Sequence, residues 1–279
     1  MLDLRSGTMA EALARARHAR AVVRAGSERA LVVAQIEDDG PVLGRFSSEQ
    51  GPRRQTGGPT WHLRPGVTFV HLSLAHPSVL LATPPDKILN RNVRPLLAAL
   101  RKTGALAMYG GRDFLLVDGE IVGLLGWARG RAGEVVIEAA ITTEDSVMLE
   151  IEAPEVALAH LGKRARVVHL PGLPEVLASA YAPNASSLAL GDAVEDARAL
   201  AEQALASLDV AIGRLALHRT AEGPRLFGDL FADDALDDLD LAALATMPVA
   251  DRREAVRGCV VEGVRNWPEV LGVLLDAAR

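Results

Sequence analysis

The loop Arg53-Arg54-Gln55-Thr56-Gly57-Gly58-Pro59-Thr60-Trp61-His62 concentrates residue types that could do chemistry. Two adjacent guanidiniums give fixed positive charge, and the glycine pair lets main chain approach a ligand closely. That combination suits a carboxylate, a phosphate or an acyl-adenylate. An exposed arginine-rich turn has the same look. Nucleophiles are scarce. Cys259 is the single cysteine, in Ala255–Val261, which reads as an apolar C-terminal helix where nothing basic is patterned to generate a thiolate. It reads as a buried structural thiol. Only three lysines, Lys87, Lys102 and Lys163, stand against 27 arginines, a bias that GC-rich codon usage explains. Lys102 suits the last turn of a helix, and Lys163 lies in an ordinary turn. His71 and His76 are five apart with no cysteine or carboxylate pattern beside them, so no metal site is expected.

These residues need elements to hold them. Met9–Ala25 reads as a helix with one apolar face and arginines crowding the other. Ala30–Ile36 and Val67–Leu74 read as strands, and Pro84-Pro85-Asp86 supplies an N-cap for a helix over Lys87–Thr103. Phe114–Val117, Asp118-Gly119 and Glu120–Leu125 read as a hairpin on a two-residue turn, followed by a strand over Val135–Ile141. Closely spaced strands after one helix predict an α+β fold: a mainly antiparallel or mixed sheet flanked by helices. Beyond residues 182–187 the pattern reads helical, with a long amphipathic run over Ala193–Leu217 and two shorter ones after it. The division predicted is a domain of residues 1–185 and a small, acidic, helical module of residues 186–279. Charge splits at the same place, with net +2 before it and net −8 after it.

Composition excludes several classes. With 49% hydrophobic and 24% charged residues over 279 positions, the chain is neither disordered nor a disulfide scaffold. A net charge of −6 argues against nucleic acid as partner. No stretch reaches a membrane span and the N-terminus lacks a signal-peptide core, so a cytoplasmic location is expected. The stripe Asp233, Asp234, Asp237, Asp238 and Asp240 reads as a solvated helical face, able alternatively to dock an arginine-rich surface. Trp61 and Trp127 read as core, with an acyl channel as the alternative, and Phe227 and Phe231 fit an apolar helix face.

Four segments in order resemble the lipoate–protein ligase and octanoyltransferase family. Val42-Leu43-Gly44-Arg45-Phe46 is similar to its "LGRFQ" strand end, and Arg53–Gly58 to its "RRxSGGG" acyl-pocket loop. Gly111-Arg112-Asp113-Phe114 is similar to "GRND", and Val117–Gly123 to "VDGRKIAG". The likeness spans roughly residues 9–150 and implies the biotin/lipoate protein ligase catalytic-domain fold. It further implies an acyltransferase that activates lipoate or octanoate with ATP and Mg²⁺. The acyl group would pass to a lysine of a lipoyl carrier domain or similar acyl-carrier protein. The implied substrate-binding residues are Arg45, Arg53, Arg54, Thr56, Gly57, Gly58, His62 and Gly123, with Arg112 and Asp113 as catalytic candidates.

Departures matter as much. The lysine that follows the hairpin turn in the family has no counterpart, and Glu120 stands near its place. Pro59 replaces the loop's third glycine, His62 stands one residue early, Asp113 replaces an asparagine, and "HGT" becomes Glu138-Ala139-Ala140. Two alternatives stay open: a catalytically silent homologue that binds an acyl group or a lipoyl domain, and transfer from an acyl thioester without ATP.

Overall fold

Val67–Leu74 and Val135–Thr142 are mostly apolar and buried at every position, as strands covered on both sides must be. They form the centre of the sheet in a computed structural model that describes residues 1–84, 87–102, 104, 106–110, 113–117, 119–142, 150–151, 172–182, 186–188, 200–210, 213–262 and 264–279. In chain order the first elements are β1 (Leu2–Asp3), α1 (Met9–Arg24), β2 (Arg29–Gln35), β3 (Gly40–Val42), β4 (Trp61–Leu63) and β5 (Val67–Leu74). There follow α2 (Ile88–Asn92), α3 (Arg94–Lys102), β6 (Ala107–Tyr109), β7 (Phe114–Val117), β8 (Glu120–Arg129), β9 (Val135–Thr142), β10 (Glu150–Ile151) and α4 (Leu173–Tyr181). Among the described residues seven strands pair in the order β1-β2-β5-β9-β8-β7-β6. Only the β1–β2 pairing in this sheet is parallel. A small sheet β10-β4-β3 carries the chain into and out of the arginine–glycine loop.

Helix α1 covers one face. Thr8 caps it in a capping box with Glu11, and Met9, Leu13 and Ala16 pack over Ala34, Phe69, Phe114 and Ala140. Its arginines do not all face water: Arg15 and Arg20 are buried. Helices α3 and α4 cover the other face, where Leu96, Leu100, Leu173 and Leu177 meet Leu72, Leu125 and Ile137.

The helix expected over 87–103 is broken in two at Val93. Pro95 has no N–H for the Arg91 carbonyl. The Tyr181 hydroxyl then enters the opened ladder, donating to the Asn92 carbonyl at 2.9 Å and accepting from the Leu96 N–H at 3.0 Å. Tyr181→Phe should therefore cost about 1–2 kcal/mol in urea unfolding, since two buried main-chain groups lose their partner. An unchanged midpoint would mean that the ladder closes without the hydroxyl. Asp86, the expected cap, lies outside the described residues.

The hairpin forms as predicted. Val117 pairs with Glu120, and Gly119 takes the left-handed φ of +83° that the turn requires.

Past residue 200 the chain forms β11 (Gln203–Val210), β12 (Gly213–Thr220) and β13 (Gly223–Gly228), an antiparallel sheet. Short strands β14 (Phe231–Ala232) and β15 (Val261–Glu262) pair with each other, and α5 (Leu241–Thr246), α6 (Val249–Ala255) and α7 (Trp267–Ala277) supply the expected helical part. The long helix expected over 193–217 is corrected here: 203–210 and 213–217 are strand. Leu215, Leu217 and Leu226 alternate onto one side of the sheet, where Leu271, Leu274 and Leu275 of α7 cover them. Packing against α7 decides this segment over the helix propensity of its alanines and leucines.

Candidate functional site

The arginine–glycine loop lies on the α1 side of the sheet, and the strands beneath it are built to receive it. Across the β5–β9 ladder His71 stands opposite Glu138, and across the β8–β9 ladder Gly126 stands opposite Glu138. A Cβ at Gly126 would come 2.4 Å from Thr56 Oγ1, so only glycine lets the loop descend here. Glu138 is fully buried and accepts from the loop through both oxygens. The Thr56 N–H and hydroxyl donate to Oε2 at 3.0 and 2.7 Å, and the Gln55 N–H donates to Oε1 at 3.4 Å. His71 Nδ1 lies 3.0 Å from the same Oε1, and His71 Nε2 lies 2.8 Å from Ser73 Oγ. Burial by itself would raise the Glu138 carboxyl. The hydrogen bonds from His71 and Thr56 and the charge of Arg54 outweigh it and hold the group below its ordinary range.

Arg54 is also fully buried. Its guanidinium donates to the carbonyls of Val42 (3.1 Å), Gly57 (2.6 Å) and Pro59 (2.7 Å) and to Thr56 Oγ1 (3.2 Å), and it stacks 3.8 Å over the Trp61 ring. Desolvation lowers it to about 9, partly offset by Glu138, Asp113 and Asp229, so it stays protonated at neutral pH. Arg53 donates to the carbonyls of Gly44, Arg45, Ser47 and Glu49. Both guanidiniums thus hold the loop's own main chain in the structure.

The outer side of the loop meets the C-terminal part of the chain. The Gly58 N–H donates to the Leu230 carbonyl at 3.0 Å. A Cβ at Gly57 would come 1.9 Å from that carbonyl oxygen, and one at Gly58 would come 2.6 Å from the Phe231 ring. The close approach that the glycine pair permits is taken up by residues 230–231. Phe227 and Phe231, expected on a helix, lie on β13 and β14, and Phe231 packs into the core of the main sheet.

Charge fastens this contact. The acidic stripe expected to be solvated takes the alternative course and docks on arginines. Arg20 bridges Glu134 (2.9 Å) and Asp234 (2.8 Å), and Arg24 reaches the same two carboxylates. Arg45 binds Asp234 and Asp237 at 2.8 Å each, Arg129 binds Asp233 at 2.7 Å, and Arg131 binds Asp238.

The remaining candidates are dispersed around the loop. Asp113 is fully buried at the start of β7, and its carbonyl accepts from the Leu125 N–H at 2.7 Å. Gly123 sits on β8, where a Cβ would come 2.8 Å from the Ala140 carbonyl oxygen. His62 is half-buried on β4, paired with Glu150 of β10. Arg112 and Lys163 lie outside the described residues. Lys87 and Lys102 are exposed, Lys87 just before α2 and Lys102 at the end of α3. Cys259, expected on a helix, lies between the end of α6 and β15; it is buried, with its Sγ 3.5 Å from Asp233 Oδ1, and burial pushes the thiol up. Trp61 and Trp127 are core residues. Among the described residues no group of three or more His, Cys, Asp or Glu could hold a metal ion, and no helix is long and apolar enough to cross a membrane.

Sequence reading passed over Glu138, His71 and Ser73 as a connected group. The signal was there: His71 and Ser73 are polar residues two apart in an otherwise apolar strand, hence on one face, and Glu138 interrupts another such strand.

No protein-family model matches the chain, and no curated protein matches it. Solved structures do. P. falciparum LipL1 in complex with lipoate is 10% identical, with a TM-score of 0.61 over 99% of this chain and 99% of that one. A bipartite lipoate protein ligase with its E2 lipoyl domain from Thermoplasma acidophilum is 14% identical, with a TM-score of 0.48 over 64% of this chain and 81% of that one. The biotin protein ligase of Leishmania major in complex with biotin is 15% identical, with a TM-score of 0.39 over 81% of this chain and 96% of that one. The likeness is one of architecture, and it extends to the C-terminal part. The chain has the α+β fold of the lipoate-bound LipL1.

Proposed function

We propose that the chain is a lipoate–protein ligase-like acyltransferase that handles lipoate- or octanoate-type acids and delivers them to a lysine of a lipoyl carrier domain. The observation that carries this reading is the end-to-end match in fold to a lipoate-bound protein, joined to an arginine–glycine loop seated on the central strands. Residues 1–185 would hold the acyl site, and residues 186–279 would cover it as an accessory module. Arg45, Arg53, Thr56, Gly57, Gly58, His62 and Gly123 are the proposed border of the acyl-adenylate site, with Arg54 supporting the loop from within. Asp113 and Arg112 are the proposed catalytic groups, Arg112 standing in for the positive charge that the family's lysine supplies. ATP and Mg²⁺ would enter in the activation step, as acyl-AMP forms and pyrophosphate leaves.

A second reading, a silent homologue that binds an acyl group or a lipoyl domain, draws support from two observations. The described lysines, Lys87 and Lys102, are exposed and sit at the ends of α2 and α3, while β8 starts with Glu120 where the family has its lysine nearby. The glycine pair is also occupied by Leu230 and Phe231.

One experiment separates them. The purified full chain is incubated with ATP, Mg²⁺, lipoate and a lipoyl domain, with octanoyl thioester replacing ATP and lipoate in a parallel arm. Pyrophosphate release with a mass gain on the lipoyl domain is the expected result. A mass gain in the thioester arm alone would assign a transferase. No mass gain, with lipoate or the lipoyl domain still raising thermal stability, would assign the silent reading. Neither turnover nor binding would overturn both.

A further inference from the structure

Ser73, His71 and Glu138 form one hydrogen-bonded line through the middle of the sheet, and all three are fully buried. The proposed acyl chemistry makes no use of this line. A hydroxyl, an imidazole and a carboxylate in that order make a nucleophile, its base and an orienting acid in many hydrolases. Here Ser73 has no exposed surface to meet a substrate. Ala30 and Val32, its neighbours on β2, pack beneath Ala19 and Val23 of α1.

What the line does reach is the arginine–glycine loop. Among the described residues Glu138 is the carboxylate of the sheet that meets Gln55 and Thr56, and it takes two main-chain N–H groups and one hydroxyl. A carboxylate accepts and does not donate, so His71 Nδ1 must carry the proton shared with Oε1. His71 Nε2 and the Ser73 hydroxyl share the next bond of the line. Each donor has one acceptor, and the rotation of the Glu138 side chain is fixed from both ends.

We propose that Glu138, oriented by the His71–Ser73 pair, is the positioning residue that sets the Arg53–Pro59 loop on the sheet and so shapes the ligand-facing surface. The proposal rests on the acyl-site reading for what the loop faces, not for how the loop is held. Without Glu138 the Thr56 and Gln55 N–H groups lose their acceptor in a dry site, and the loop keeps its bonds to Leu43, Arg45 and Leu230 and those of the Arg53 and Arg54 guanidiniums but none to the central strands through a carboxylate.

The test uses hydrogen exchange of the full chain, read on the loop peptide and on the β5 and β9 peptides as internal controls. Glu138→Ala should speed exchange of the loop amides about tenfold or more while β5 and β9 keep their protection. Glu138→Gln should restore part of that protection, because its amide oxygen still accepts from one side of the loop. Loop exchange unchanged in Glu138→Ala overturns the proposal. If Glu138→Ala does not fold, Thr56→Val removes one donor to the same carboxylate. A faster loop in that variant supports the anchor, and an unchanged loop overturns it. A final arm measures lipoate binding by calorimetry. Should the unmodified chain bind neither lipoate nor octanoate, the acyl reading fails while the exchange result still decides the anchor. Should it bind, Glu138→Ala is expected to weaken binding about tenfold and Glu138→Gln to leave it near the original value; equal binding in Glu138→Ala overturns the claim that the anchor shapes the ligand surface.

Discussion

Replacing Arg54 with alanine is expected to destabilise the protein by about 5 kcal/mol, a large share of the ~5–15 kcal/mol that holds a typical domain folded. The guanidinium serves three carbonyls and the Thr56 hydroxyl in a fully buried position, and it stacks on Trp61. Each buried acceptor left without a donor costs about 1–3 kcal/mol, and partial relaxation keeps the total near the low end of their sum. Lysine is no remedy. It carries the charge, but it lacks the flat fork that reaches diverging acceptors and lies on an indole. Arg54→Lys should still lose about 3 kcal/mol. Urea unfolding followed by tryptophan fluorescence measures both, and Trp61 reports the loss of stacking directly. A change under about 1 kcal/mol for alanine would show that water replaces the guanidinium, and the loop would not depend on it.

Arg20→Ala should cost about 3 kcal/mol, because it removes the buried arginine that joins two buried carboxylates across the contact between α1 and the C-terminal part. Arg20 is 4% exposed at its side chain, and Glu134 and Asp234 are 3% and 7% exposed. Arg24 reaches both carboxylates and limits the loss, but its side chain is 48% exposed and water screens it. The matched control is Arg131→Ala. Arg131 and Asp238 are 65% and 49% exposed, so that variant should stay within about 0.5 kcal/mol of the original. High salt should erase the small effect of Arg131 and leave most of that of Arg20. Acid provides a further check. Burial would raise the Glu134 carboxyl, but Arg20 and Arg24 outweigh it and hold the group below its ordinary value of 4.5. A lowered folded value means that the stabilisation is complete above about pH 4.5 and is lost as the pH falls through the lowered value. In Arg20→Ala the acid-induced loss should shrink, since less of that stabilisation remains to be removed. Equal unfolding midpoints for Arg20→Ala and Arg131→Ala would contradict a contact held by its buried charges.

The two results bear on different parts of one arrangement. Arg54 and Glu138 hold the loop from inside and below, and Leu230 and Phe231 close its outer side. The ion pairs fix where those last two residues sit. A ligand of the proposed acyl class has to fit a loop already defined on every side by the chain itself, which is why the turnover and binding arms above must be read separately.

Much of the frame was legible residue by residue. Asp118-Gly119 between two apolar runs encodes a two-residue turn, and Val117 does pair with Glu120. The apolar strands at 67–74 and 135–142 declare burial on both faces, and the polar exceptions within them mark the site's supports. Local signals also misled. The alanine- and leucine-rich run ending at Leu217 has helix propensity, yet Leu215 and Leu217 find their cover on α7, more than fifty positions away. Pro95 announces a break, but nothing near it in the chain names Tyr181, whose hydroxyl fills the gap.

By itself the sequence determined periodicity, turns, the α+β frame, the scarcity of lysine and the presence of an arginine–glycine loop, because each depends on neighbours within a few positions. Only the tertiary structure decided what those arginines and acids do. Arg20 meets Asp234 across a separation of 214 residues, and His71 meets Glu138 across 67. An isolated arginine pattern is the same whether it faces a ligand, water or a carbonyl. The fold settles the partner, because burial makes an unpaired charge so costly that the groups brought together must satisfy one another.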